Sequence, residues 1–211
     1  MYYSQTSLHN TYTPAIRIDP LSAVLLALAL YFLELRMIAA LAAAVIVHEL
    51  GHIAALRALG LRICALRSEM QGFCIDYAGE TSRLGHAAAA LAGPVAGLAM
   101  AFAVSALAVR TGGAFFALTA GVSLLLSLFN LLPIQALDGG RVLKLVLSAL
   151  LGDNAGRRAA NAVSTAVALV LFALGMYIFL AGHGAGLVIA ALWLILSQEM
   201  SLTIEKEKKI M

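Results

Sequence analysis

The sequence predicts an all-α polytopic membrane protein: about six transmembrane helices and, after the second, a short cytoplasmic β-hairpin or sheet. Three observations carry that prediction. Hydrophobic residues make up 62% of the 211 residues and charged residues 12%, against about 45–50% and about 25% in an ordinary soluble domain. A globule of 22.0 kDa cannot bury that much apolar surface, so much of it must face something other than water. The apolar residues also fall in runs near the length of roughly 20 residues that a helix needs to cross hydrocarbon. Finally, the basic residues concentrate on alternate connections between those runs. This composition excludes a soluble enzyme, a disordered protein and a disulfide scaffold. Two cysteines, Cys64 and Cys74, build no framework and are expected as reduced thiols.

The elements follow in order. Residues 1–20 are polar, with no basic run and no small-residue cleavage site before the first apolar stretch, and are expected as an N-terminal tail of the mature chain. Six candidate spans make up a single transmembrane domain, 21–203: Leu21–Leu33, Met37–Leu59, Leu84–Val109, Ala114–Leu132, Ala159–Leu180 and Ala185–Leu202. Only Glu34, Leu35 and Arg36 divide the first two, with no Gly or Pro to mark a turn. Residues 204–211 form a basic tail. Between Leu61 and Tyr77, apolar Leu61, Ile63 and Ala65 alternate with Arg62 and Cys64. After Gly72, Phe73, Ile75 and Tyr77 alternate with Cys74 and Asp76. Period two around a glycine predicts the hairpin, and its edge is expected to hold an extended peptide.

With the N-terminus inside, inner segments carry twelve Lys and Arg residues and outer loops only Arg36 and Arg110. That bias orients an integral membrane protein with both termini in the cytoplasm. The net charge of +3 therefore reads as orientation. No clustered basic stripe points to nucleic acid as a partner.

The second span contains His48-Glu49-Leu50-Gly51-His52 among Ala, Val, Ile and Leu. Residues four apart share one helix face, so both imidazoles can hold one ion, and the intervening Glu can serve as general base. Three ionisable groups within five residues are costly at membrane depth unless a partner compensates them, and a divalent cation does so. The bland alternative is a turn whose polar residues face other helices.

A catalytic zinc keeps three protein ligands and one open position. The segment Asn130-Leu-Leu-Pro133-Ile-Gln-Ala-Leu137-Asp138-Gly-Gly follows a span running in the same direction as the second, so Asp138 belongs on the same, cytoplasmic, side. Pro133 should break the helix and the glycines let the chain fold back. Asp138 could instead be an N-cap for the helix RVLKLVLSALL. Asn130 could contact substrate or satisfy carbonyls that Pro133 leaves free. A His, His, Asp set prefers zinc and would also accept cobalt or iron.

The two motifs together resemble the site-2 protease family of intramembrane zinc metalloproteases. The resemblance rests on HELGH within a span and on NLLPIQALDGGRVL, which follows the family pattern N-x-x-P-x-x-x-L-D-G. It covers a catalytic core of about 37–142. It implies that His48, His52 and Asp138 bind one zinc ion and that Glu49 is the catalytic base. It also implies hydrolysis of a peptide bond in or near a transmembrane segment of a membrane-protein substrate, with Asn130 and Pro133 contacting that substrate. Six spans with no PDZ-sized or CBS-sized insert resemble the compact branch related to sporulation proteases that process pro-sigma factors. The family setting implies a bacterial cell membrane and a regulatory membrane protein as a further partner. In Ala92-Gly93-Pro94-Val95-Ala96-Gly97 the chain departs from the family, with Gly97 where Asn is common. Ala89, Gly93 and Gly97, at four-residue steps, are expected to allow close helix packing. The rival reading from another class is a metal or proton transporter that uses the same His, Glu and Asp groups as an ion site.

Overall fold

The computed structural model describes residues 3–5, 16–18, 33–69 and 72–210. The chain divides into two compact units, 1–131 and 132–211. The first expected span, Leu21–Leu33, lies outside the described residues except for Leu33.

In the first unit, the expected second, third and fourth spans are α1 (Leu35–Ala58), α2 (Arg83–Thr111) and α3 (Ala114–Asn130). By length and composition, α1 and α2 can each cross a membrane, and α3 is a shorter apolar helix. Ser82 starts α2, its hydroxyl accepting the Gly85 N–H at 3.1 Å. Gly112, in the left-handed region at φ 66°, ends it, as expected of a glycine beyond a helix C-terminus. The helices approach through small residues. A Cβ on Gly51 would stand 2.5 Å from the Ala92 carbonyl oxygen, and Ser123 Oγ on α3 donates to the Gly97 carbonyl of α2 at 2.9 Å.

Burial is inverted with respect to a water-soluble bundle. Ala40, Ala44, Ser123 and Ser127 are buried, while Phe102 and Leu125 are largely exposed. Small and hydroxylated residues inside with large apolar ones outside is the pattern of helices solvated by lipid. The fold is thus polytopic and predominantly α-helical.

The hairpin is present as β3 (Arg62–Glu69) and β4 (Gly72–Ala78), antiparallel. Two features were not expected. The register shifts between Ile63 and Ala65, so that Ile63 faces Tyr77 while Ala65 faces Asp76. The extra residue, Cys64, breaks the simple alternation, as a bulge does. The N-terminal segment also supplies β1 (Tyr3–Gln5), parallel to β4, and β2 (Ile16–Ile18), parallel to β3, giving the sheet order β1-β4-β3-β2. Part of each hairpin edge expected to hold a peptide, Ile75–Tyr77 on one side and Leu66–Ser68 on the other, is therefore taken by the chain's own strands, because unpaired N–H and C=O groups on an edge recruit any available strand. Leu61, Ile75 and Tyr77 pack with Leu56 of α1 and Ala89 of α2 in one buried cluster.

The second unit contains α4 (Asp138–Leu151), α5 (Asp153–Leu180) and α6 (Gly186–Ile210). The expected fifth and sixth spans are α5, which begins six residues early, and α6. Only Gly152, at φ 82°, joins α4 to α5. A Cβ on Gly156 of α5 would stand within the backbone of Ser148 on α4, and one on Gly175 would lie 2.9 Å from the Val188 nitrogen of α6. Of the six described helices, five answer to expected spans. The other, α4, has 14 residues, about 21 Å at 1.5 Å per residue, too short to span.

Candidate metal centre

His48 and His52 lie in the middle of α1, whose unbroken helix holds the four-residue spacing. Both rings are buried. Their Nε2 atoms are 3.2 Å apart and the ring planes stand at 76°. Two imidazoles bound to one tetrahedral zinc at about 2.0–2.1 Å would place their nitrogens about 3.3 Å apart. The observed separation fits a shared ion.

Helix α2 sets the orientation of His52. Its Nδ1 donates to the Ala89 carbonyl at 2.7 Å, so the proton sits on Nδ1 and Nε2 presents its lone pair, the arrangement usual for a metal-bound histidine. Four residues on, Gly93 leaves room for the ring: a Cβ there would collide with the His52 imidazole. A Cβ on Gly97 would collide with the Ser127 hydroxyl. The small stripe of Ala89, Gly93 and Gly97 is a packing surface, as expected, and it also seats the His52 ring. Spacing alone did not reveal that second role, because the contact between Gly93 and His52 joins residues 41 positions apart. Glu49 is half-buried beside His48.

Asp138 is the first residue of α4 and is 1% exposed. The N-cap is Leu137, without a side-chain cap bond, so the alternative of Asp138 as the cap does not describe this helix. Its carboxylate adds favourably to the N-terminal end of the helix dipole. The Arg141 guanidinium one turn on is 3.9 Å from Asp138 Oδ1. Arg141 stands in the motif and could have been singled out by its i,i+3 spacing.

Pro133 has the effect expected of it: α3 ends at Asn130, three residues earlier. The loop 131–137 then turns twice on itself, with Ile134 N–H donating to the Leu132 carbonyl and Leu137 N–H to the Ile134 carbonyl, both at 2.8 Å. Gly140 is required because a Cβ would collide with the Ile134 carbonyl. The Asn130 amide nitrogen donates to the Leu126 carbonyl at 2.9 Å, one of the carbonyls near the end of α3.

His48 and His52 in the first unit and Asp138 in the second are each buried. Other candidates fall elsewhere. The Tyr77 hydroxyl donates to His86 Nε2 at 2.8 Å, while His86 Nδ1 donates to the Ser82 carbonyl at 3.0 Å. His183 is exposed after α5. Cys64 is a free thiol. The side chain of Cys74 lies outside the described residues.

The profile of Peptidase family M50 matches residues 106–174, a stretch that includes Asp138. A Mycobacterium tuberculosis protein named "Putative zinc metalloprotease Rip3" is 39% identical over 157 residues, 69% of this chain and 40% of that protein. The chain belongs to the site-2 protease family. A second relative in this family, "Putative zinc metalloprotease sll0528" of Synechocystis, is 30% identical over 140 residues, 63% of this chain and 37% of that protein. The chain thus spans about 40% of the length of the curated relatives it matches. The site-2 protease from Methanocaldococcus jannaschii superposes with a TM-score of 0.64 at 21% identity, covering 84% of both chains; it shares the fold. Donor set, burial and nitrogen spacing all suit zinc, the metal named in both relatives.

Proposed function

We propose that this chain is an intramembrane zinc metalloprotease that hydrolyses a peptide bond in or near a transmembrane segment of a membrane-protein substrate. The observation that carries the reading is the pair of buried imidazole nitrogens 3.2 Å apart on a helix that also carries a glutamate between them. In this reading His48, His52 and Asp138 hold one zinc ion. When bound, zinc brings the pKa of water toward about 7 and polarises a carbonyl.

The chain's own residues do the rest. Ala89 fixes the tautomer of His52 through its carbonyl. Asp138 supplies one negative charge against the dication. Glu49 accepts a proton from the attacking water and returns it to the leaving amine. The residue is half-buried, and its Oε2 is enclosed. Asn130 and Pro133 contact the substrate backbone where α3 ends. With the Asn130 amide nitrogen engaged on Leu126, its amide oxygen is the group that can accept a bond.

The same reading places the protein in a bacterial cell membrane, with both termini and the active site toward the cytoplasm. Its support is the twelve-to-two distribution of basic residues. It takes 37–142 as the catalytic core of one transmembrane domain, 21–203, and a regulatory membrane protein as a further partner. The transporter alternative has no support among the relatives, which are named as metalloproteases.

The test is purification of wild type and Glu49→Gln in detergent, metal analysis, and incubation of each with single-span substrates. One zinc per chain in both, and cleavage lowered by about 10²–10⁴-fold in the variant, is expected. Equal cleavage by both would remove Glu49 from its role. Metal flux in proteoliposomes without any cleavage would replace the protease with a transporter.

A further inference from the structure

We infer that Ser164 of α5 is a positioning residue for the Asp138 carboxylate, acting through the loop that leads into it. The inference rests on the metal-binding reading of Asp138.

The loop 131–137 is irregular backbone among apolar helices. Such backbone is tolerated only where its polar groups are satisfied by protein or water. Ile134 and Leu137 satisfy their N–H groups within the loop, and Pro133 has none. The Gln135 N–H finds its acceptor 29 residues away: it donates to Ser164 Oγ at 2.8 Å. Ser164 is 1% exposed, and Ile134, Ala136 and Leu137 are buried as well, so water is a poor substitute. Asp138 follows Gln135 by three residues, and Gly140 closes the turn over the Ile134 carbonyl. The serine therefore anchors the middle of a short, tightly turned segment that ends in a ligand.

Metal sites tolerate errors of only about 0.2 Å in ligand distance. Groups that orient ligands are commonly worth about 10–100-fold in metal affinity. Removing the Ser164 hydroxyl takes the acceptor from the part-buried Gln135 N–H and frees the loop to shift, so the carboxylate loses its fixed position. His48 and His52 are untouched by this change, since their positions are set within α1 and α2. Weakened rather than abolished zinc binding is the signature.

The experiment uses the full chain in detergent as wild type, Ser164→Ala, Ser164→Thr, Ser164→Cys and Ser148→Ala. Ser148 is another buried hydroxyl in the second unit, and it controls for simple loss of a buried serine. Zinc affinity is measured by chelator competition, and melting is followed with and without zinc. Ser164→Ala is expected to bind zinc about 10–100-fold more weakly, with a smaller zinc-induced rise in melting temperature. Threonine, which keeps the hydroxyl, should restore most of the affinity. Cysteine, a weak acceptor, should fall between, and it stands in if the alanine variant does not fold. Ser148→Ala should bind zinc like wild type. Wild-type affinity in Ser164→Ala, or in Ser164→Cys if the alanine variant does not fold, overturns the inference while leaving the metal site intact. Equal weakening in Ser148→Ala overturns it too. Failure of the wild type to bind zinc at all would instead overturn the underlying reading.

Discussion

The two segments that carry ligand-type residues are built in opposite ways. His48 and His52 stand in the middle of an unbroken helix, where the 3.6-residue repeat alone brings two rings to one face. Their fine placement comes from a rigid neighbour: the Ala89 carbonyl holds one ring and Gly93 makes room for it. Asp138 stands where helix has just been broken and begun again. Its placement comes from a seven-residue loop turned by Pro133, closed by Gly140 and tied to Ser164. A ligand pair on a helix needs only a flat partner surface. A ligand on a broken chain needs every polar group of the break accounted for.

This contrast can be broken or sharpened by substitution. The largest effects belong to the proposed ligands themselves. His52→Ala or Asp138→Ala should each lose stoichiometric zinc on metal analysis after gel filtration, and retained zinc in either would remove that residue from the set. Next comes the seat of the helical pair. Gly93→Ala drives a methyl into the His52 ring, which the Ala89 carbonyl holds in place, and should weaken zinc binding by about 100-fold. Gly121→Ala is its counterpart, because nothing lies within 4 Å of a Cβ there. It should leave zinc binding unchanged and raise thermal stability by up to about 1 kcal/mol. Equal behaviour of the two glycine variants would mean that α2 does not position the ring.

A smaller effect is expected in the loop half. Gly140→Ala meets the backbone of Ile134 and Gln135, in the loop that Ser164 anchors. A destabilisation of about 1–3 kcal/mol with a milder loss of zinc than Gly93→Ala should appear in melting and chelator competition. A loss larger than that of Gly93→Ala would reverse the ranking of rigid and adjustable halves. The smallest effect tests a contact away from both. Tyr77→Phe removes the bond to His86 and should cost about 0.5–1.5 kcal/mol, leaving zinc affinity untouched.

Legibility followed sequence distance. The spans were readable because lipid exposure writes itself into composition over about 20 residues. HELGH was readable because its geometry is local, and Asp138 because proline and paired glycines mark a break wherever they occur. The strands β1 and β2 were not readable. Three residues are too few for an alternation to register, and their pairing with β4 and β3 joins positions about 50 to 70 apart. The bulge at Cys64 was hidden because inserting one residue leaves the apolar content unchanged. Helix α4 was visible only as the run after Asp138, and its 14 residues separate it from the spans by length.

The amino-acid order by itself determined a lipid-solvated helical chain, the pairing of two imidazoles with a glutamate on one helix, and the position of a carboxylate after a helix break. These follow from short-range rules: composition, helical period and the backbone limits of Pro and Gly. Only the tertiary structure decided which nitrogen of His52 presents its lone pair, why Gly93 must be a glycine, how the loop before Asp138 is held, and that the N-terminal segment completes the sheet. Each of those depends on a carbonyl, a hydroxyl or an empty space contributed by a distant part of the chain, and close packing is a property of the assembled neighbours rather than of any one segment.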